Sequence, residues 1–261
     1  MRRAGWIVAA LGLLLLVGCA VPVNPTPDVR TASDLTDNDR RARLRMELAA
    51  GYFSRGQTTT ALDEVKQVIA ARPDLPEAYN LRGLIYASMG QLALAEESFR
   101  RALQLNPRDG DTMNNYGWFL CQQRRYEEAQ SQFSGALAVP QYREVPRTLL
   151  AKGLCEARAG RLADAEVTLS KAYEMDPANP TAAFNLADVL YRLGELERAR
   201  FYIRRVNAQN ETANAQTLWL AIRIERKLGN LIGANGLGVQ LKQRFPESPQ
   251  ALQFERGRFD D

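Results

Sequence analysis

A spacing of 34 residues recurs along this chain, and nothing else in it restricts the fold as strongly. The clearest copy runs Gly83, Tyr86, Gly90, Ala95, Phe99, Ala102 and Pro107. Each place has a physical reason. Gly83 and Ala95 are small, so two helices can approach closely there. Tyr86 and Phe99 fill the space between helices. Pro107 ends the second helix and starts the turn to the next.

The frame repeats in both directions. Upstream stand Ala49, Tyr52, Gly56, Ala61, Val65, Val68 and Pro73. Downstream come Gly117, Leu120, Ala129, Phe133 and Ala136, with Pro140 one place early. Gly153, Gly160, Ala165, Leu169, Ala172 and Pro177 follow. Then come Ala187, Leu190, Gly194, Ala199, Ile203 and Val206, with Glu211 in place of proline. A sixth, degenerate copy keeps Gly229, Ala234, Leu241 and Pro246 but carries Gly236 and Gly238 inside its second helix. Extra residues near Glu144-Val145 and near Asn214 interrupt the frame. These spacings resemble the tetratricopeptide repeat, a helix–turn–helix unit.

The resemblance implies an all-α fold, a right-handed superhelical solenoid of about six repeats with a concave groove. The units are expected at 42–75, 76–109, 110–143, 146–179, 180–213 and 215–248. The sixth, with Gln243, Arg244 and Glu247, reads as a cap. Each interior glycine costs about 1 kcal/mol relative to alanine, so this unit is expected to be the least stable. Residues 249–261 are expected to form a charged tail, which frays from Gln253 to Asp261.

In such arrays the first helix of each pair lines the groove. The groove places hold Met46, Ala50 and Phe53, then Asn80, Leu84 and Ala87, then Asn114, Trp118 and Cys121. Leu150, Leu154 and Ala157 follow, then Phe184, Asp188 and Tyr191, and finally Trp219. Tryptophan and tyrosine are frequent binding anchors, so the candidate partner-binding groove is Phe53, Asn80, Leu84, Asn114, Trp118, Leu150, Leu154, Phe184, Asp188, Tyr191 and Trp219. The competing reading packs Trp118 and Phe184 between units as core. Cys121 and Cys155 lie on first helices of adjacent units, and a disulfide between them is expected. The alternative is two free buried thiols acting as small hydrophobes.

Composition excludes most chemistry. Histidine is absent, which removes the commonest general base and metal ligand. Two cysteines besides Cys19 are too few for a zinc site. No phosphate loop, serine elbow or nucleophile–base pair appears, so no enzyme, metal or cofactor is expected. Glu96-Glu97 and Glu127-Glu128 read as solvated faces, because adjacent helix residues diverge. The net charge of +4 is carried by mixed signs without a long basic run, so no nucleic acid is expected as partner.

The chain opens as a secretory signal does. Met1-Arg2-Arg3 is basic, and an apolar stretch leads to Leu16-Val17-Gly18-Cys19. Those four residues resemble the bacterial lipobox, in which the cysteine is acylated and the peptide is cut before it. Residues 1–18 are then a lipoprotein signal peptide, and Cys19 is the lipidation site. Ala20 beside it suggests outer-membrane delivery. Residues 19–39, with Pro22, Pro25 and Pro27, read as a tether between lipid and folded domain. No second apolar run is long enough to span a membrane.

The segment Asn114-Asn115-Tyr116-Gly117-Trp118-Phe119-Leu120-Cys121 goes beyond the generic repeat. With Arg125 to Ala129, six units and the lipobox, the chain resembles the PilF/PilW lipoproteins of type IV pilus biogenesis, which act as pilotins. The resemblance implies a monomeric lipoprotein on the periplasmic face of the outer membrane. It would bind the secretin subunit, promote its localisation and multimerisation, and use the lipoprotein sorting machinery. The competing expectation is a periplasmic adaptor that scaffolds envelope proteases or cell-wall hydrolases.

Overall fold

The computed structural model describes residues 36–259, all of whose regular structure is helical. Six antiparallel pairs follow one another: α1 (Asp37–Ser54) with α2 (Thr58–Ala71), α3 (Pro76–Ser88) with α4 (Leu92–Leu105), and α5 (Gly110–Gln122) with α6 (Tyr126–Leu137). Then come α7 (Val145–Arg158) with α8 (Leu162–Met175), α9 (Pro180–Leu193) with α10 (Leu196–Asn207), and α11 (Ala215–Lys227) with α12 (Leu231–Arg244). A short α13 (Pro249–Glu255) closes the array. The signal peptide, Cys19 and most of the expected tether lie outside the described residues.

Local chemistry sets the helix boundaries. Asp109, Asn179 and Asn214 each accept hydrogen bonds from the first turn of the helix that follows, and Pro76, Pro146 and Pro180 stand in first turns where a missing N–H does no harm. Inside each pair the chain reverses through one residue with positive φ: Gly56, Gly90, Gly160, Gly194 and Gly229. In the third pair this place is taken by Arg124, at φ 59°.

The tether ends earlier than expected. Thr36 caps α1 in a reciprocal pair with Asp39, and Arg72 at the end of α2 reaches Asp39. The helix therefore begins at Asp37 instead of Arg40.

Size complementarity holds each pair together. The small residue on the first helix faces the residue sixteen places later. A Cβ on Gly83 would lie 2.8 Å from Phe99 Cε1, and one on Gly117 would lie 2.9 Å from Phe133 Cε1. One on Gly153 would lie 2.7 Å from Leu169 Cγ. Where the first helix carries Ala49 or Ala187 instead, the later residue is β-branched, Val65 or Ile203, and all four are buried. The sixth pair inverts the arrangement: Ile222 is the large member and Gly238 the small one.

That inversion corrects the expectation of a fraying tail. A Cβ on Gly238 would run into the ring of Phe254, so the glycine leaves room for α13. Ser248 caps α13, Pro249 starts it, and Ala251 is buried. Gly238 is a docking notch for the helix that closes the stack, and the sixth unit does not itself form the end. Gly236, by contrast, faces open space.

The two extra residues between the third and fourth units are absorbed in the loop before α7. Tyr142 packs over Gly110, where a Cβ would lie 2.6 Å from its ring, and its hydroxyl lies 2.9 Å from Thr148 Oγ1.

The carboxylate pairs are not merely solvated. Glu96 accepts from Arg125 at 2.7 Å, from Arg100 at 2.7 Å and from the Tyr116 hydroxyl at 3.0 Å, clasping the second unit to the third. Glu127 accepts from Arg161 at 2.9 Å in the same way, one unit on. The Arg125 guanidinium, followed by Tyr116 and Arg100, outweighs burial and holds the Glu96 carboxyl below its ordinary value. A depressed folded pKa gives stability that is present above the unfolded value, about 4.3 for glutamate. That stability is lost as pH falls through the depressed one. The melting-temperature difference between wild type and Glu96→Gln is thus expected to be greatest near neutrality and to shrink in acid. A difference that does not change with pH would show that the clasp is not electrostatic.

Candidate protein-binding groove

The helix contacts place the inner wall. Each odd helix through α9 touches the next odd helix, whereas the even helices α2 to α12 do not touch one another. The odd helices therefore stand at the smaller radius and line the concave face. This is the face the sequence selects.

Phe53, Asn80, Leu84, Trp118, Leu150, Leu154, Phe184 and Asp188 are half-buried there, each with part of its surface open. Asn114, Tyr191 and Trp219 are not open: they are 3%, 5% and 7% exposed. Tyr191 is roofed by Arg223, 4.8 Å from its ring centroid, and by Lys227 at 4.3 Å. Trp219 is covered by Phe259, stacked at 5.6 Å. Trp118 rests on the Phe99–Tyr116–Phe119 cluster with Arg158 4.7 Å above it. The expected aromatic anchors are therefore partly core and partly capped by cations. Cys121 and Cys155 are joined, with Cα atoms 5.8 Å apart.

Polar side chains join the first helices across units. Asn115 Nδ2 donates to Asn80 Oδ1 at 3.2 Å, and Arg147 Nη2 donates to Asn115 Oδ1 at 2.9 Å. Asn114 Nδ2 donates more weakly to Asn115 Oδ1, at 3.3 Å. The Asn114 Oδ1 is buried without a partner. Asn115 and Arg147 are absent from the groove places because Asn115 follows Asn114 by one residue and Arg147 stands one turn before Leu150. In the fifth unit Asp188 lies 3.9 Å from Arg192, and burial raises its carboxyl above the usual range against the pull of Arg192 and Arg223. Among the described residues no cluster of three or more His, Cys, Asp or Glu side chains is placed to hold a metal. No described helix is long and apolar enough to cross a membrane. The face offers apolar ridges, amide donors and acceptors, and fixed cations, which suits recognition of a polypeptide segment.

Comparison with known proteins identifies the repeat and its relatives. The tetratricopeptide repeat family matches residues 51–90, 76–109, 98–131, 120–180 and 156–220. The chain is 30% identical over 247 residues to the type IV pilus assembly protein PilF of Pseudomonas aeruginosa, covering 95% of this chain and 97% of that one. The crystal structure of PilW, a widely conserved type IV pilus biogenesis factor, is similar with a TM-score of 0.76 and 30% identity. That likeness covers 82% of this chain and 97% of PilW. The structure of Pseudomonas aeruginosa PilF gives a TM-score of 0.75 at 29% identity, covering 85% of this chain and all of that one. The chain belongs to the PilF/PilW family of tetratricopeptide repeat proteins of type IV pilus biogenesis.

Proposed function

We propose that this protein is a pilotin: an outer-membrane lipoprotein that binds the type IV pilus secretin subunit and promotes its localisation and multimerisation. The observation that carries the reading is the identity with PilF along nearly the whole chain. The concave wall of first helices offers a surface for a partner segment, which supports a binding role.

The mechanism is physical. Lipid on Cys19 gives the membrane address, since several acyl chains hold stably where one is marginal. The proline-rich segment after it gives reach. Gripping one secretin segment then raises the local concentration of subunits at the membrane, so ring assembly gains from proximity alone.

The test is a strain lacking the chain, complemented with wild type or Cys19→Ser. Loss of heat-resistant secretin multimers in the deletion, restored by wild type and not by Cys19→Ser, is the expected result. Normal multimers in the deletion strain would end the pilotin reading.

A further inference from the structure

One row of positions on the concave face changes charge halfway along. Five places after the pairing residue of each first helix (Ala49, Gly83, Gly117, Gly153, Ala187 and Ile222), units one to three carry Ser54, Ser88 and Gln122, while units four to six carry Arg158, Arg192 and Lys227. All three cations are exposed, and each reaches back onto the unit before it. Arg158 lies over Trp118, Arg192 Nη2 donates to the Ala157 carbonyl at 3.3 Å, and Lys227 lies over Tyr191. The result is a ladder of cations with one rung per unit, its rungs fixed by aromatic rings or backbone. Arg223 and Arg226 add positive charge at the last unit. Acids on this wall lie mostly in the other half: Glu47, Glu77 and Asp111. The one acid among the rungs is Asp188, beside Arg192.

The far end of the ladder already holds an occupant. Phe259 follows α13, stacks on Trp219 at 5.6 Å, and lies under Arg226, whose Cζ is 3.6 Å from the ring centroid. Asp260 and Asp261 follow it in the sequence. The protein's own tail thus delivers an aromatic ring, with acidic residues next to it in sequence, to the basic end of the concave face.

We infer that the concave face of units four to six is a docking surface for an acidic partner segment bearing an aromatic side chain, which displaces Phe259 from Trp219 and Arg226. The inference deepens the pilotin reading by naming the chemistry of the segment gripped. Neighbouring helices pack roughly 8–10 Å apart. A polyproline-type segment presents the same face about every 9.3 Å, three residues on. One carboxylate every third residue therefore matches one rung per unit.

The test uses the full chain in detergent and a fluorescent synthetic peptide with aspartate at every third position and one terminal phenylalanine. The control peptide has asparagine for aspartate. The acidic peptide is expected to bind, more weakly as salt rises, and the control to bind at least tenfold more weakly. The triple variant Arg158→Gln, Arg192→Gln, Lys227→Gln should lose about tenfold in affinity with only a small fall in melting temperature, since its three positions are exposed and give up one contact each. Phe259→Ala should bind the acidic peptide severalfold tighter by vacating the terminal pocket. Equal affinity for the two peptides, or a folded triple variant with unchanged affinity, would overturn the inference, as would weaker binding by Phe259→Ala. If the triple variant folds poorly, the single exposed change Arg192→Gln is read in its place. None of these readings involves secretin. A chain that binds the acidic peptide but leaves secretin multimers unaffected in cells would instead overturn the pilotin reading.

Discussion

Phe99→Ala should cost about 3–5 kcal/mol of stability, the range for emptying a large aromatic side chain from a packed interior. Phe99 is fully buried. Its ring lies against Gly83 within its own pair and 5.6 Å from the rings of both Tyr116 and Phe119 in the next unit. The cavity would therefore open both within the second unit and at its junction with the third. A solenoid gains its stability from neighbour contacts, so hydrogen exchange should quicken in α3 to α6 well before the terminal pairs respond. The companion change Gly83→Ala is also destabilising, because the new methyl meets the ring. The pairs Ala49/Val65 and Ala187/Ile203 show how this fold takes an alanine: it narrows the facing residue. Gly83→Ala combined with Phe99→Ile should thus be more stable than the sum of the two single effects. Denaturant midpoints of the four proteins form the cycle. Strict additivity would mean that the two sites do not share one space.

This pairing explains how far the sequence alone could be read. Gly83, Gly117 and Gly153 mark close approaches, and their large partners stand at a constant offset, so five pairs are legible from spacing alone. The sixth looked degenerate because its large and small members exchange places: Ile222 fills the first helix and Gly238 yields on the second. A periodic template counts that as damage. Only the position of Phe254 shows the glycine to be a notch, and a seven-residue helix beyond the repeat carries no period of its own. The same limit applies to the concave face. Its backbone frame could be placed from the repeat, and half-buried Leu84, Leu150 and Phe184 lie where expected. What caps an aromatic ring depends on side chains from the next unit or from the tail. For that reason Tyr191 and Trp219, read as open anchors, are roofed by Lys227 and Phe259. Likewise Glu96 looked like one half of a solvated pair until Arg125, 29 residues on, closed over it.

Replacing both Cys121 and Cys155 with alanine should remove about 3–4 kcal/mol on the chain-entropy estimate. That estimate is for a closed loop of 34 residues. Both positions are buried, on α5 and α7, and alanine avoids placing an unpaired hydroxyl there. The bond ties two first helices that otherwise hold each other through side-chain packing and the Arg147–Asn115 hydrogen bond. Its loss should loosen the boundary between the third and fourth units, where the extra residues before α7 already interrupt the repeat. Thermal melting of the double variant should resemble that of the reduced wild type, and reductant should leave the variant unchanged. Mass mapping of unreduced wild type should find the two cysteine peptides linked. Separate alkylation of the two thiols would sink the assignment. Trp118, three residues before Cys121, and Arg158, three after Cys155, form the first cation–ring contact of the ladder across this boundary. The disulfide therefore fixes the spacing of that contact, and an acidic segment should bind the double variant more weakly than it binds the oxidised wild type.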